Sequence, residues 1–335
     1  MDDWATRNGY LLCLLMAKLF PSLSIALQNK KVFMSIKAII SDLDGTLLNN
    51  QHRISAYTLN VLKRLKKETN VCFVVATGRP YADVFPTLTD CGLEPDYIIT
   101  SNGARVHQLL PDGRGVRTDN TRVVIGHNLK PSVVRQILEY AKGLSVLTSP
   151  REAVGFIQLK RRKFNTNVYQ GPDWWVDEGI EASKEAFHPL FQYTEMKDAL
   201  YDLPSHNALE DVHEIFFAGG HDDLAVWETH LQKELADALT LTFSHPNILD
   251  AVAHGVNKGV AVTEVCGRLG LNVAEVAAFG DGMNDEKMLA VAGHAYVMAN
   301  ANPELAKRLP KAKTTGTNDE DGVAKELEKL FFSSA

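Results

Sequence analysis

The chain has no surplus of positive charge, no paired cysteines, no histidine motif for a metal, and no unbroken apolar run long enough for a membrane. Each of these absences closes off a class of function. Lys and Arg number 35 against 41 Asp and Glu, for a formal charge of −6, which argues against a nucleic-acid groove. The four cysteines, Cys13, Cys72, Cys91 and Cys266, are scattered with no C-x-x-C. They fit a reducing compartment, and hence a cytoplasmic protein, better than a disulfide framework or a zinc site. None of the 11 histidines falls in an H-E-x-x-H pattern. The apolar stretch Tyr10–Leu19 is broken by Lys18 and preceded by Asp2 and Asp3. A membrane span needs about 20 apolar residues, and a secretory signal needs a basic start. Residues 1–33 are therefore expected to be a disordered extension, or an over-long reading frame whose real start is Met34.

What is present is a globular composition, 45% hydrophobic and 23% charged over 335 residues, enough for one large or two ordinary domains. Its most informative stretch is 38–48, Ala-Ile-Ile-Ser-Asp-Leu-Asp-Gly-Thr-Leu-Leu. An apolar run that short reads as a buried parallel strand. Open α/β sheets bind ligands beyond the carboxyl ends of such strands, and here that end carries Asp42 and Asp44. At i and i+2 on an extended segment, the two carboxylates are expected on one side, able to share a cation while one attacks an electrophile.

The rhythm continues downstream. Ser55–Lys67 carries Leu59, Leu62 and Leu65 as a helical stripe; Val71–Ala76 is a strand ending in Thr77-Gly78-Arg79. A helix is expected near Tyr81–Leu88 and a strand at Tyr97–Ile99. This βαβαβ order implies a parallel sheet covered by helices. It resumes after Asp250: Asn257-Lys258-Gly259 opens a helix to about Leu269, and Val276–Phe279 leads into Gly280-Asp281-Gly282-Met283-Asn284-Asp285. A helix Asn284–Ala292, a strand Ala295–Met298 and a final helix Gly322–Leu330 follow. The stretch between, 118–247, holds Trp174, Trp175 and Trp227 and reads as an inserted second domain, with crossings at Arg114–Thr118 and Phe243–Asn247. The expected division is thus 34–117 with 248–335 as the core and 118–247 as the insertion. Lys160-Arg161-Arg162-Lys163 reads as a solvated edge.

Taken singly, each polar residue has an ordinary role: Asp42 in a turn, Thr77 in a loop, Lys258 in solvent, Asp250 at a strand end. Together, all follow strands or open helices, so parallel neighbours would gather them at one sheet edge. That set suits metal-assisted phosphoryl transfer. A carboxylate approaching a phosphate is repelled, and a cation must offset this. Mg²⁺ takes a few protein oxygens, which Asp42, the Asp44 carbonyl and Asp281 can supply. Lys258 and Thr77 can hold phosphoryl oxygens. Asp44 can protonate the leaving oxygen and then activate water against an aspartyl-phosphate on Asp42.

In this order, D-x-D-G-T, strand-T-G, N-K-G and G-D-G-M-N-D resemble the motifs of the haloacid dehalogenase superfamily, within its Cof-type phosphatases. The resemblance runs from about Met34 to Leu330 and includes Ser101-Asn102-Gly103-Ala104 and Asn318–Val323. It implies an α/β fold: a Rossmann-like core with a parallel sheet, and an inserted α/β cap that sets substrate specificity. It implies that Asp42 is the nucleophile and a Mg²⁺ ligand, Asp44 the acid/base and a ligand through its carbonyl, and Asp281 the remaining protein ligand. Leu43 (through its N–H), Thr77, Gly78, Lys258 and Asn284 would bind phosphate. Asp285 would stand behind them, orienting the metal site or Lys258. Two features depart from the family: Leu144–Phe164 is longer than in many relatives, and Asp250 stands where Glu is common.

A lidded site favours a small phosphorylated metabolite, with no nucleic acid or membrane as partner. Asn165–Tyr169 and Trp174-Trp175 resemble the subset acting on pyridoxal 5′-phosphate and sugar phosphates; the tryptophans could stack on a ring or pack the cap interior. A phosphomutase with the same intermediate and a non-enzymatic phospho-acceptor module are the rival readings. Asp44 and the large insertion weigh against the module, which needs neither a leaving-group acid nor a lid.

Overall fold

The computed structural model describes residues 36–110, 121–146, 164–179, 187–206 and 209–332. The expected extension 1–33, the crossing 114–118, the tetrad 160–163 and most of 144–164 lie outside them.

Along the chain come β1 (Ala38–Ser41), α1 (Ala56–Glu68), β2 (Cys72–Ala76), α2 (Tyr81–Asp90), β3 (Tyr97–Thr100), β4 (Arg105–Leu109) and β5 (Thr121–Gly126). Next are α3 (Pro131–Val146), β6 (Phe164–Gln170), β7 (Asp173–Val176), β8 (Thr194–Glu195), β9 (Val212–Gly219), α4 (His221–Leu235), β10 (Leu239–His245) and β11 (Ile248–Ala253). The last group is α5 (Lys258–Leu269), β12 (Val276–Gly280), α6 (Glu286–Val291), β13 (His294–Val297), α7 (Pro303–Arg308), β14 (Lys313–Thr314) and α8 (Gly322–Phe331).

The first sheet has eight strands in the order β14-β13-β12-β1-β2-β3-β4-β5. Pairings from β14 through β3 are parallel; β4 and β5 add an antiparallel edge. β1 is buried on both faces. Ile39 packs with Val61, Leu62 and Leu65 of α1 and Leu327 of α8. Ala38 and Ile40, pointing the other way, pack with Val262 and Val265 of α5. Burying each of the two isoleucines contributes about 1.5–3 kcal/mol, and this double cover is why 38–40 reads as an apolar run. Helix boundaries follow local chemistry: Ser55 caps α1 by accepting from the Thr58 N–H, and Asn257 caps α5 by accepting from the Val260 N–H.

The second sheet has six strands in the order β10-β11-β9-β6-β7-β8. It is antiparallel except at β7–β8. β9 shows the two-residue period of a strand between unlike surroundings. Ile215 and Phe217 join the cluster with α3 and α4, including Leu138, Leu224 and Trp227. Phe216 faces the opposite side with Tyr169, Trp174 and Phe191, and Ala82 of α2 packs there too. Strand membership differs from the expected limits of 118 and 247. β5 pairs with β4 in the first sheet, and β11 lies between β10 and β9 in the second. The Phe243–Asn247 stretch read as a crossing closes the β10–β11 hairpin, because Pro246 and Asn247 form its turn.

Candidate active site

β1 lies between β12 and β2, where the strand order reverses, so a crevice opens beyond its carboxyl end. Asp42 is the first residue past the strand; its N–H donates to the Phe279 carbonyl at 3.0 Å, tying it to β12. The chain then turns through Leu43–Leu47, with Gly45 at φ +70°. A Cβ on Gly45 would collide with the Asp281 carboxylate, so glycine is required both by conformation and by this approach. Thr46 donates its hydroxyl to Asp281 Oδ1 at 2.7 Å.

Lys258, at the first turn of α5, is 1% exposed. Its ammonium donates to Asp42 Oδ1 at 2.6 Å and to Asp285 Oδ1 at 2.7 Å. The other oxygen of Asp285 accepts from the N–H groups of Asp281 and Gly282, both at 2.9 Å. Asp285 thus fixes the Lys258 head and the loop bearing Asp281 at once.

Asp42, Asp281 and Asp285 each place an oxygen within 4.8 Å of the others. Three carboxylates against one ammonium leave an excess of two negative charges. The consequence is visible in their acidity. Burial and the Asp285 charge hold the Asp42 carboxyl well above its ordinary value, in spite of Lys258. Burial and Asp285 likewise push Asp281 up to about 7. Lys258, which burial alone would discharge, is held strongly protonated by Asp285 and Asp42. A buried oxygen-rich cluster short of two positive charges fits a hard divalent cation.

Asp42 and Asp44 both line the crevice, and their side chains take different protein partners, Lys258 and Arg79. Asp44, itself in extended backbone, turns to Arg79. Arg79 Nε donates to Asp44 Oδ2 at 2.7 Å and Nη2 to Oδ1 at 2.6 Å, a two-pronged clamp. Burial opposes ionisation of Asp44, but the nearby His52 ring, 3.8 Å away, and the Arg79 hydrogen bonds outweigh it and hold the carboxyl below the usual range. Arg79 also donates through Nη1 to Asp83 Oδ2 at 2.8 Å, and the other Asp83 oxygen accepts from the His188 N–H at 2.5 Å. The residue readings above did not include Arg79; its signal was the third position of Thr77-Gly78-Arg79. Thr77 accepts from the Arg79 N–H at 3.1 Å, so that motif is one turn.

Asp42, Asp44, Thr77, Gly78, Asp281 and Asn284 line one cavity of about 430 Å³. Lys258 and Asp285 lie behind it, reached through Asp42, and the Leu43 side chain is buried in the core. The second sheet roofs the cavity with Tyr169, Phe216, Ile248 and Asp250, joined by Phe187. Trp174 does not line it: it is 3% exposed and stacked on Phe191 at 5.1 Å. Trp175 packs toward α3 and α4. The tryptophan pair therefore fills the interior, and the aromatic surface over the site comes from Tyr169, Phe187 and Phe216.

Residues 39–327 match the family model of the haloacid dehalogenase-like hydrolases. A protein named HMP-PP phosphatase from Serratia proteamaculans is 32% identical over 293 residues, covering 87% of this chain and 94% of its own. One of the same name from Yersinia enterocolitica is 31% identical over 292 residues, with 87% and 94% covered. A crystal structure of a haloacid dehalogenase-like hydrolase from Bacteroides thetaiotaomicron superposes with a TM-score of 0.67 at 24% identity, covering 88% of this chain and 100% of that one. The chain belongs to the haloacid dehalogenase-like hydrolases, in the Cof-type phosphatase branch, and by class is a phosphoric monoester hydrolase. The first sheet with its helices is the core of that fold and the second sheet its cap. Among the described residues no helix is long and apolar enough to cross a membrane.

Proposed function

We propose that this chain is a Mg²⁺-dependent phosphatase of small phosphorylated metabolites, working through an aspartyl-phosphate on Asp42. The observation that carries the reading is the buried cluster of Asp42, Asp281 and Asp285 around a single ammonium, at the carboxyl end of β1. Asp42 and Asp281, with the Asp44 carbonyl, would hold the ion. When bound, Mg²⁺ supplies the positive charge that lets an anionic nucleophile meet an anionic phosphate.

Asp42 attacks phosphorus, and the bond to the leaving oxygen breaks as that oxygen takes a proton from Asp44. Asp44, now ionised, takes a proton from water; the water oxygen bonds to phosphorus and the bond to Asp42 breaks, releasing phosphate. Leu43 N–H, Thr77, Gly78, Lys258 and Asn284 bind the phosphoryl oxygens, and Asp285 holds Lys258 in place. The two-pronged contact with Arg79 suits the second half, in which Asp44 must be a carboxylate. For the first half Asp44 must carry a proton, so Arg79 has to release it.

The aromatic roof of Tyr169, Phe187 and Phe216 favours esters carrying a flat ring over sugar phosphates. Pyridoxal 5′-phosphate is one such ester. The relatives' name makes HMP-PP a second candidate. We place the protein in the cytoplasm, on its cysteine usage.

The test is phosphate release by purified protein with Mg²⁺ from a panel holding both compounds and several sugar phosphates. Turnover of ring-bearing esters, lost in Asp42→Asn with the fold intact, is the expected result. Wild-type turnover in Asp42→Asn would refute the mechanism. An isomeric ester in place of phosphate would identify a phosphomutase.

A further inference from the structure

Behind the phosphate site the core makes a turn that its neighbours force into an unusual shape. Ser101, Asn102 and Gly103 follow one another at φ +50°, +52° and +102°. Two successive non-glycine residues in the left-handed region persist only where the surroundings impose them. The surroundings here are specific. Ser101 N–H donates to the Arg79 carbonyl at 3.0 Å, and Asn102 N–H to the Thr77 carbonyl at 3.2 Å. Gly103 sits against the Asn257 backbone, where a Cβ would lie 2.5 Å from the carbonyl oxygen. The turn is thus pinned to both the Thr77 loop and the start of the Lys258 helix.

Its product is the placement of one side chain. Asn102 is 4% exposed and uses both ends of its amide. Its Oδ1 accepts from Asn284 Nδ2 at 3.0 Å, and its Nδ2 donates to Glu214 Oε1 at 3.0 Å. Asn284 lines the catalytic cavity, whereas Glu214 belongs to β9 of the cap sheet and is fully buried. One amide therefore joins a cap strand to a phosphate-site side chain. An amide nitrogen has two hydrogens, so the bond to Asn102 fixes the plane of Asn284 and leaves its second N–H for an anion. Burial and the neighbouring Asp250 hold the Glu214 carboxyl well above its ordinary value.

We propose that Asn102 is a positioning residue that couples the seating of the cap, read through Glu214, to the orientation of the phosphate-binding Asn284. The inference rests on the reading of Asn284 as a phosphate ligand. With the cap seated, Glu214 holds the Asn102 amide and Asn284 is aimed; with the cap lifted, that bond is lost and Asn284 is free to turn. Tight phosphate binding is thereby confined to the closed form.

The experiment is calorimetric titration of the full chain with inorganic phosphate in the presence of Mg²⁺, which requires no turnover. Asn102→Ala should weaken phosphate binding about tenfold, as expected for one misaligned hydrogen bond to an anion. Asn102→Ala in an Asn284→Ala background should cause no further loss, since both act through one contact. Glu214→Ala should weaken binding, and Glu214→Gln should restore it, because the glutamine carbonyl still accepts from Asn102. Wild-type affinity in folded Asn102→Ala, or losses that multiply in the double variant, would overturn the relay alone. If Asn102→Ala fails to fold, equal affinity in Glu214→Ala and wild type overturns it. A wild-type protein that binds phosphate but hydrolyses no ester would instead refute the hydrolytic mechanism and leave the relay standing. No phosphate binding by wild type would refute the phosphate site and the relay with it.

Discussion

Where the two sheets meet at the cavity, they hold their buried acids differently. At the end of the parallel sheet, Asp42, Lys258 and Asp285 form a linked set in which each named group has a partner within 2.7 Å. On the cap sheet, Glu214 Oε2 and Asp250 Oδ2 are buried with no hydrogen-bond partner. An unpartnered buried oxygen is costly, and a fold keeps one mainly where something else requires it. The core is built to hold reacting groups still. The cap contributes an aromatic roof and acids whose ionisation burial opposes. On the proposed mechanism, that difference separates the polar network used in every turnover from the surface that meets the rest of the ester.

Substitutions can break that contrast, and the largest effect is expected in the core. Lys258→Met leaves Asp42 and Asp285 buried without their shared cation. Breaking such a set costs about 3–5 kcal/mol. A fall of several degrees in melting temperature, with turnover down by about a hundredfold or more, should appear in thermal melts and initial rates. A stable, active Lys258→Met would mean the ammonium is dispensable. Next comes Arg79→Gln, which removes the clamp that lowers the Asp44 carboxyl. Asp44 should then ionise at higher pH, and the acid limb of the pH–rate profile should move up by about one unit. An unmoved limb would separate Asp44 from that limb.

Smaller effects belong to the cap. Phe216→Leu keeps a buried apolar side chain but removes an aromatic face from the roof. KM for ring-bearing esters should rise about threefold to tenfold, equivalent to the roughly 0.5–1.5 kcal/mol of an aromatic pair. Trp174→Phe, in the interior, should leave the substrate ranking unchanged; a changed ranking would return the tryptophan to the site. For Asp250→Asn the expected effect is on stability and its pH dependence. Burial pushes Asp250 up to about 7, above its ordinary 3.8. A raised folded value means its contribution to stability is full below about pH 4 and is lost as pH rises through 7. Asparagine does not ionise, so the unfolding free-energy difference in favour of the variant should grow between pH 5 and pH 8, by about 1–2 kcal/mol, read from denaturant melts at each pH. A pH-independent difference would show that Asp250 does not titrate in this range.

The same contrast explains what could be read from the sequence. The core announced itself because parallel strands buried on both faces must be largely apolar, as 38–40 and 72–76 are. Once those strands are neighbours, Thr77, Asp281 and Asp42 converge, since each follows a strand end. The cap was legible only as an insertion. Its β10–β11 hairpin turns on Pro246-Asn247, a local signal that also suits a crossing, and only the ladder to β9 separates the two. Two site contacts had no local signal. Arg79 reaches Asp44 across 35 positions, and only the pairing of β1 with β2 brings their strand ends together. Asn102 reaches Glu214 across 112 positions, and only closure of the cap on the core creates that pair.

The central claim is that Asp42 carries the phosphoryl group between two half-reactions. Its most direct test is an acid-quenched single turnover with a phosphate-labelled ester and Mg²⁺, following label on the protein. Label should appear on the wild-type chain and decay as phosphate is released, map to Asp42, and be absent from Asp42→Asn. Phosphate release with no labelled protein at any time, or label retained in Asp42→Asn, would contradict the account.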